Sequence, residues 1–155
     1  VSFLWPLLDA ACVELELQAR RKEEAIAEMV GLLVKAGKLA DPAPLVEALL
    51  ARERLMSTGI GESIAMPHAL IGGLAETLMA FGRKREGLRF DALDKQPVKL
   101  LFLLAGPERQ ELAHLQLLSR LARLLRDASF KEALLSVQRP EEVVELFRLK
   151  EQEEP

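Results

Sequence analysis

The segment Val98-Lys99-Leu100-Leu101-Phe102-Leu103-Leu104 is apolar at every position but Lys99. A strand of that composition has no polar side to turn toward water, so it must be covered on both faces. It is far short of the ~20 residues that span a bilayer, and no other apolar run approaches that length. A chain built around it therefore needs layers above and below a sheet, and helical patterns elsewhere in the sequence supply them. The 155 residues are 50% hydrophobic and 29% charged, the balance of one domain, 1–155, with a real core. Strands and helices are mixed along the chain, so the economical fold is an α/β sandwich with helices on the sheet faces.

Val13-Glu14-Leu15-Glu16-Leu17 alternates apolar and charged, the period of a half-buried strand. From Lys22 the period becomes helical through Ile26, Met29, Val30 and Leu33, and Gly37 supplies the stop. Asp41-Pro42 reads as a cap and first-turn proline for a second helix through Leu45, Leu49 and Leu50. Ser63–Met66 and Thr77–Gly82 are further strand candidates, separated by a Gly72-Gly73 turn. Pro67 ends regular pairing, which puts His68 at a strand end or in the loop beyond. Gly106-Pro107 closes the central strand. Leu115, Leu118, Ala122 and Leu125 predict the buried stripe of a helix, and Ser129–Glu132 has the form of a capping box. Pro140-Glu141-Glu142 opens a last helix through Val143, Val144 and Phe147, and 151–155 reads as a frayed tail.

The chemistry-bearing residues are few. With Lys plus Arg at 21 and Asp plus Glu at 24, the net charge of −3 argues against a nucleic-acid binder. The start of the sequence lacks a basic region and carries Pro6, a poor signal peptide, and the lone Cys12 cannot form an internal disulfide. A cytoplasmic location is expected. Only two histidines occur, His68 and His114, so a three-histidine metal site is impossible. A neutral imidazole at a strand end can act as nucleophile or base near pH 7. His114 lies near a helix start, where it is either a satisfied core residue or a neutral hydrogen-bond donor; periodicity does not separate the two. Arg52 and Arg54 both close the second helix, and either guanidinium fork suits phosphate oxygens. Thr58-Gly59-Ile60-Gly61 could present backbone N–H groups to an anion, although it is neither a P-loop nor GxGxxG.

Taken together, Arg52-Glu53, Ser57-Thr58-Gly59-Ile60-Gly61 and Ile64-Ala65-Met66-Pro67-His68-Ala69 resemble one family. It is the enzyme IIA class of the phosphoenolpyruvate-dependent phosphotransferase system, of fructose/mannitol and nitrogen-regulatory type. Phe90–Val98 with Leu100-Leu101-Phe102, and His114-Leu115 with Leu118-Ser119, extend the likeness along the chain; Met66 and Leu70 depart from it. The resemblance implies a mixed β-sheet flanked by helices on both faces. It implies phosphorylation of His68, with His114 stabilising the phosphorylated ring and Arg52 as the matching arginine. By the same likeness, Thr58, Gly59, Ile60 and Gly61 would help bind phosphate, with no metal or organic cofactor required. The implied partners are the carrier HPr as donor and a IIB component or a regulatory protein as recipient, without direct membrane insertion.

Overall fold

The computed structural model of the chain describes residues 2–153. Its strands are β1 (Val13–Glu14), β2 (Gly59–Gly61), β3 (Ile64–Ala65), β4 (His68–Ile71), β5 (Leu78–Leu88) and β6 (Val98–Pro107). Its α-helices are α1 (Lys22–Lys35), α2 (Ala43–Leu55), α3 (Glu111–Leu124), α4 (Ala128–Ser136) and α5 (Pro140–Glu153). The strands form one mixed sheet in the order β1-β5-β6-β3-β2, with β4 also paired to β6. β5 runs antiparallel to β6, whereas β3 and β4 run parallel to it.

The central strand does what its composition requires. Successive side chains point to opposite faces, and those of β6 sort into two separate cores. Leu101, Leu103 and Ala105 join Ile26, Met29, Leu33, Leu45 and Leu49 from α1 and α2. Leu100, Phe102 and Leu104 join Leu117, Leu121, Phe130, Leu134, Val143 and Phe147 from α3, α4 and α5. In the second core Phe81, Phe102, Phe147 and Phe130 stack edge-to-face in sequence, with centroids 5.2, 6.1 and 5.1 Å apart. Each such pair contributes about 0.5–1.5 kcal/mol beyond its burial.

β3 and β4 are two halves of one line. Ile64 pairs with Leu100 and His68 with Leu104, the same offset on both sides of Pro67. Proline has no N–H to donate, yet its carbonyl still accepts from Leu104 N at 3.1 Å, so register survives the break. His68 thus opens β4 rather than lying in a loop beyond β3. Ala69 belongs to the α1/α2 core, so the alternation turns His68 toward the α3 side.

Several local expectations are corrected. β1 stops at Glu14, because Glu16 N turns back to the Glu14 carboxylate; Leu17 N then rejoins Arg83 O. β5 continues to Leu88, and β6 runs through Gly106-Pro107 instead of ending before them. The buried face of α3 is His114, Leu117, Leu121 and Leu124, whereas Leu115 is 60% exposed. Leucines occupy both flanks of that helix, so spacing alone picks the neighbouring stripe. α4 is capped by Asp127, which accepts from Ser129 N and Phe130 N, not by Ser129.

The expected fraying from residue 151 does not hold for 151–153, which complete α5; 154–155 lie outside the described residues. Glu151 is buried and accepts from Leu4 N, Trp5 N and Arg120 Nε, the last at 2.5 Å. The Arg120 guanidinium also covers the Phe3 ring at 4.8 Å. Breaking one side of such a buried ion pair costs about 3–5 kcal/mol, because the other charge loses its compensation. Glu151→Ala should therefore lower Tm by roughly 10 °C for a domain of this size. Calorimetry checks this, and a shift near zero would contradict the clamp.

Candidate functional site

His68 opens β4 and His114 stands in the first turn of α3, and their rings meet with centroids 5.6 Å apart and planes tilted by 48°. Gly106 makes that approach possible. A Cβ there would stand 2.9 Å from His114 Nδ1 and 2.9 Å from Leu70 Cδ2, so the imidazole occupies space that a β6 side chain would take. This is the close-packing use of a strand glycine. It is also why the strand carries glycine two residues after Leu104, the partner of His68.

The two rings differ in their bonding. His68 Nδ1 lies 2.8 Å from the carbonyl oxygen of Met66. A carbonyl can only accept, so Nδ1 carries the proton and Nε2 keeps its lone pair. His114 is 4% exposed, and neither of its ring nitrogens has a hydrogen-bond partner among the described residues. An unsatisfied buried donor costs about 1–3 kcal/mol. Burial holds the His68 pKa below the ordinary histidine value, and the Arg52 charge adds to that; the Met66 bond and Glu53 oppose it. Burial also lowers that of His114, with His68 adding to the effect.

Arg52 lies in the last turn of α2, half-buried, with Nη1 donating to Met56 O at 2.9 Å. Its charge acts on His68, whereas Arg54 is exposed. The structure thus separates two arginines that spacing leaves equal.

The glycine loop makes several of its bonds within the chain. Thr58 N donates to Glu53 Oε2 at 3.0 Å, and Gly59 N to Ser57 Oγ at 3.0 Å. Gly59 and Gly61 pair with β3, and Ile60 faces solvent. Two of the loop's N–H groups, those of Thr58 and Gly59, are therefore bonded within the chain rather than facing an anion. The loop holds the β3–β4 segment instead: Thr58 O accepts from Met66 N at 2.9 Å. Gly59 is needed because a Cβ would meet Ala92 Cβ at 2.9 Å.

Glu53 is the residue that sequence reasoning passes over. It is 6% exposed; Oε1 accepts from the Thr58 hydroxyl at 2.5 Å, and Lys22 Nζ lies 3.4 Å from Oε2. A signal is present: position 53 continues the Leu45–Leu49 stripe of α2, where a carboxylate is out of place.

Among the described residues no three His, Cys, Asp or Glu side chains gather to hold a metal ion, and no helix is long and apolar enough to cross a membrane. Surface cavities of about 360–650 Å³ are lined by residues other than His68, His114 and Arg52. The imidazole pair lies outside them; Leu55, Met56, Leu112 and Leu115 are exposed.

Fold and site together define a mixed α/β protein with a paired-imidazole centre where β4, β6 and α3 meet. Residues 6–150 match the family described as phosphoenolpyruvate-dependent sugar phosphotransferase system, EIIA 2, and the chain belongs to it. It is 39% identical over 141 residues to the fructose-specific EIIABC component of Bacillus subtilis, covering 91% of this chain but only 22% of that protein. The nitrogen regulatory protein IIA-Ntr of Neisseria meningitidis superposes with a TM-score of 0.85 at 36% identity, covering 92% of this chain and 97% of that one. The IIA in a complex of IIA and phosphorylated IIB mannitol enzymes from Escherichia coli superposes at 0.74 with 33% identity, covering 91% and 96%.

Because both rings are held below the ordinary histidine pKa, each should remain neutral at pH 6.5 and charge only at lower pH. The unfolded chain binds those protons first, so their contribution to stability is full well above about 6.5 and falls as pH drops through that value. Histidine NMR titration checks this; a ring titrating at or above 6.5 would contradict it. Gly106→Val should displace His114 and destabilise the fold by about 1–3 kcal/mol, read by urea denaturation with the His114 ring resonances.

Proposed function

We propose that the chain is a phosphoryl carrier of the phosphotransferase system, loaded on His68 Nε2. The observation that carries this reading is the contrast between the two rings: one nitrogen of His68 is tied to Met66 O, while His114 beside it has two buried, unused nitrogens. In the step, the Nε2 lone pair attacks phosphorus as the nitrogen–phosphorus bond of a phosphohistidine on an HPr-type carrier breaks. The donor imidazole leaves with the electron pair. Such transfers depend on in-line placement and on neutralising the equatorial oxygens. A neutral His114 N–H and the Arg52 guanidinium supply donors for those oxygens, and a neutral His68 is required throughout. No metal or organic cofactor enters this chemistry.

A half-buried His68 ring at the start of β4 suits a substrate that is another protein's side chain. The recipient in this reading is a IIB component, the kind of protein that the similar mannitol IIA is bound to in its complex. The role is then fructose- or mannitol-type sugar uptake, carried out in the cytoplasm. The likeness to IIA-Ntr favours a second reading. In it the same modification adds about −1 to −2 charges and switches contact with a regulatory protein.

Incubation with phosphoenolpyruvate, enzyme I and HPr should place one acid-labile phosphate on His68, seen by mass spectrometry. His68→Ala should take up none, and undiminished labelling of that variant would overturn the assignment. His114→Ala should still accept phosphate but pass it on at least ~10-fold more slowly, the scale of one lost transition-state donor. Pull-downs with the two phosphorylation states separate transport from regulation: transfer to a IIB supports the first, and state-dependent capture without transfer supports the second.

A further inference from the structure

A continuous set of hydrogen bonds runs from α1 to the reactive ring. Lys22 Nζ lies 3.4 Å from Glu53 Oε2, and Thr58 donates to both carboxylate oxygens, from N at 3.0 Å and from Oγ1 at 2.5 Å. Thr58 O then accepts from Met66 N at 2.9 Å, and Met66 O accepts from His68 Nδ1 at 2.8 Å. Each link spans a gap between elements: α1 to α2, α2 to the glycine loop, the loop to the β3–β4 junction, and the junction to the imidazole.

Helix stability does not explain the carboxylate. Glu53 lies in the last turn of α2, where the macrodipole disfavours negative charge, and at 6% exposure it is deprived of water. A leucine would continue the Leu45–Leu49 stripe without either cost. What the carboxylate provides is two acceptors at a fixed spacing, which hold both the N–H and the hydroxyl of Thr58.

We propose that Glu53 is a positioning residue which, through Thr58 and the Met66 backbone, keeps the proton of His68 on Nδ1 and its Nε2 lone pair available to phosphorus. This rests on the phosphohistidine reading above. Without the latch, Thr58 is released, the Met66 carbonyl is no longer fixed under the ring, and His68 samples both tautomers. A misplacement of about 1 Å in such a site costs on the order of 100-fold in rate.

The test uses Glu53→Leu and the milder Glu53→Gln in the full chain, with folding checked by circular dichroism. Long-range ¹H–¹⁵N correlation of the His68 ring should show one Nδ1–H tautomer in the parent and a mixture in Glu53→Leu. Phosphoryl uptake from phospho-HPr should fall about 10- to 100-fold in kcat with KM changed by less than about twofold. Glu53→Gln, which keeps one acceptor, should fall between. A folded Glu53→Leu with the parent tautomer overturns the proposal, whether or not uptake slows. If Glu53→Leu does not fold, Glu53→Gln alone decides: a parent-like ring and rate overturn it. A parent chain that takes up no phosphate defeats the phosphohistidine reading instead, while the ring spectra still decide what Glu53 does.

Discussion

Leu100 through Ala105 are buried without a break, and alternate members belong to different cores. That double burial organises everything around it. It demands α1 and α2 on one face and α3, α4 and α5 on the other. β4 pairs with β6 alone. The pleat sends Ala69 into one layer and His68 toward the other, and the end of α2 comes close enough for Arg52 to act on the ring. His68 thus comes from the sheet, His114 from one helical layer and Arg52 from the other.

The local electrostatics are consistent with that placement. Both imidazoles lose water and are driven toward their neutral forms, and the guanidinium adds to this at His68. His114 keeps both ring nitrogens without a hydrogen-bond partner among the described residues. Burying these groups is offset by roughly forty buried apolar side chains elsewhere.

Much of this is visible in the residues. The unbroken apolar run announces a strand covered on both sides, and Gly37 and Asp41-Pro42 mark the helix boundaries beside which the chain turns. The pairing of His68 with His114 comes from likeness to a family; periodicity alone leaves His114 undecided. The failures share a cause. Spacing prefers Leu115 to Leu117 because α3 is leucine-rich on two flanks, and only the close approach at Gly106 tells which one meets the sheet. The glycine loop looks open because a sequence does not show that Glu53 and Ser57 already accept its N–H groups. Glu151 looks like part of a solvated acidic tail, yet its partners Leu4, Trp5 and Arg120 lie far away along the chain.

That last contact has an architectural consequence. Glu151 joins the backbone at residues 4 and 5 directly to the final turn of α5, so the polypeptide enters and leaves this unit side by side. A module with adjoining entrance and exit behaves as a cassette: threaded into a longer polypeptide, it would hang from the main path like a bead on a short loop.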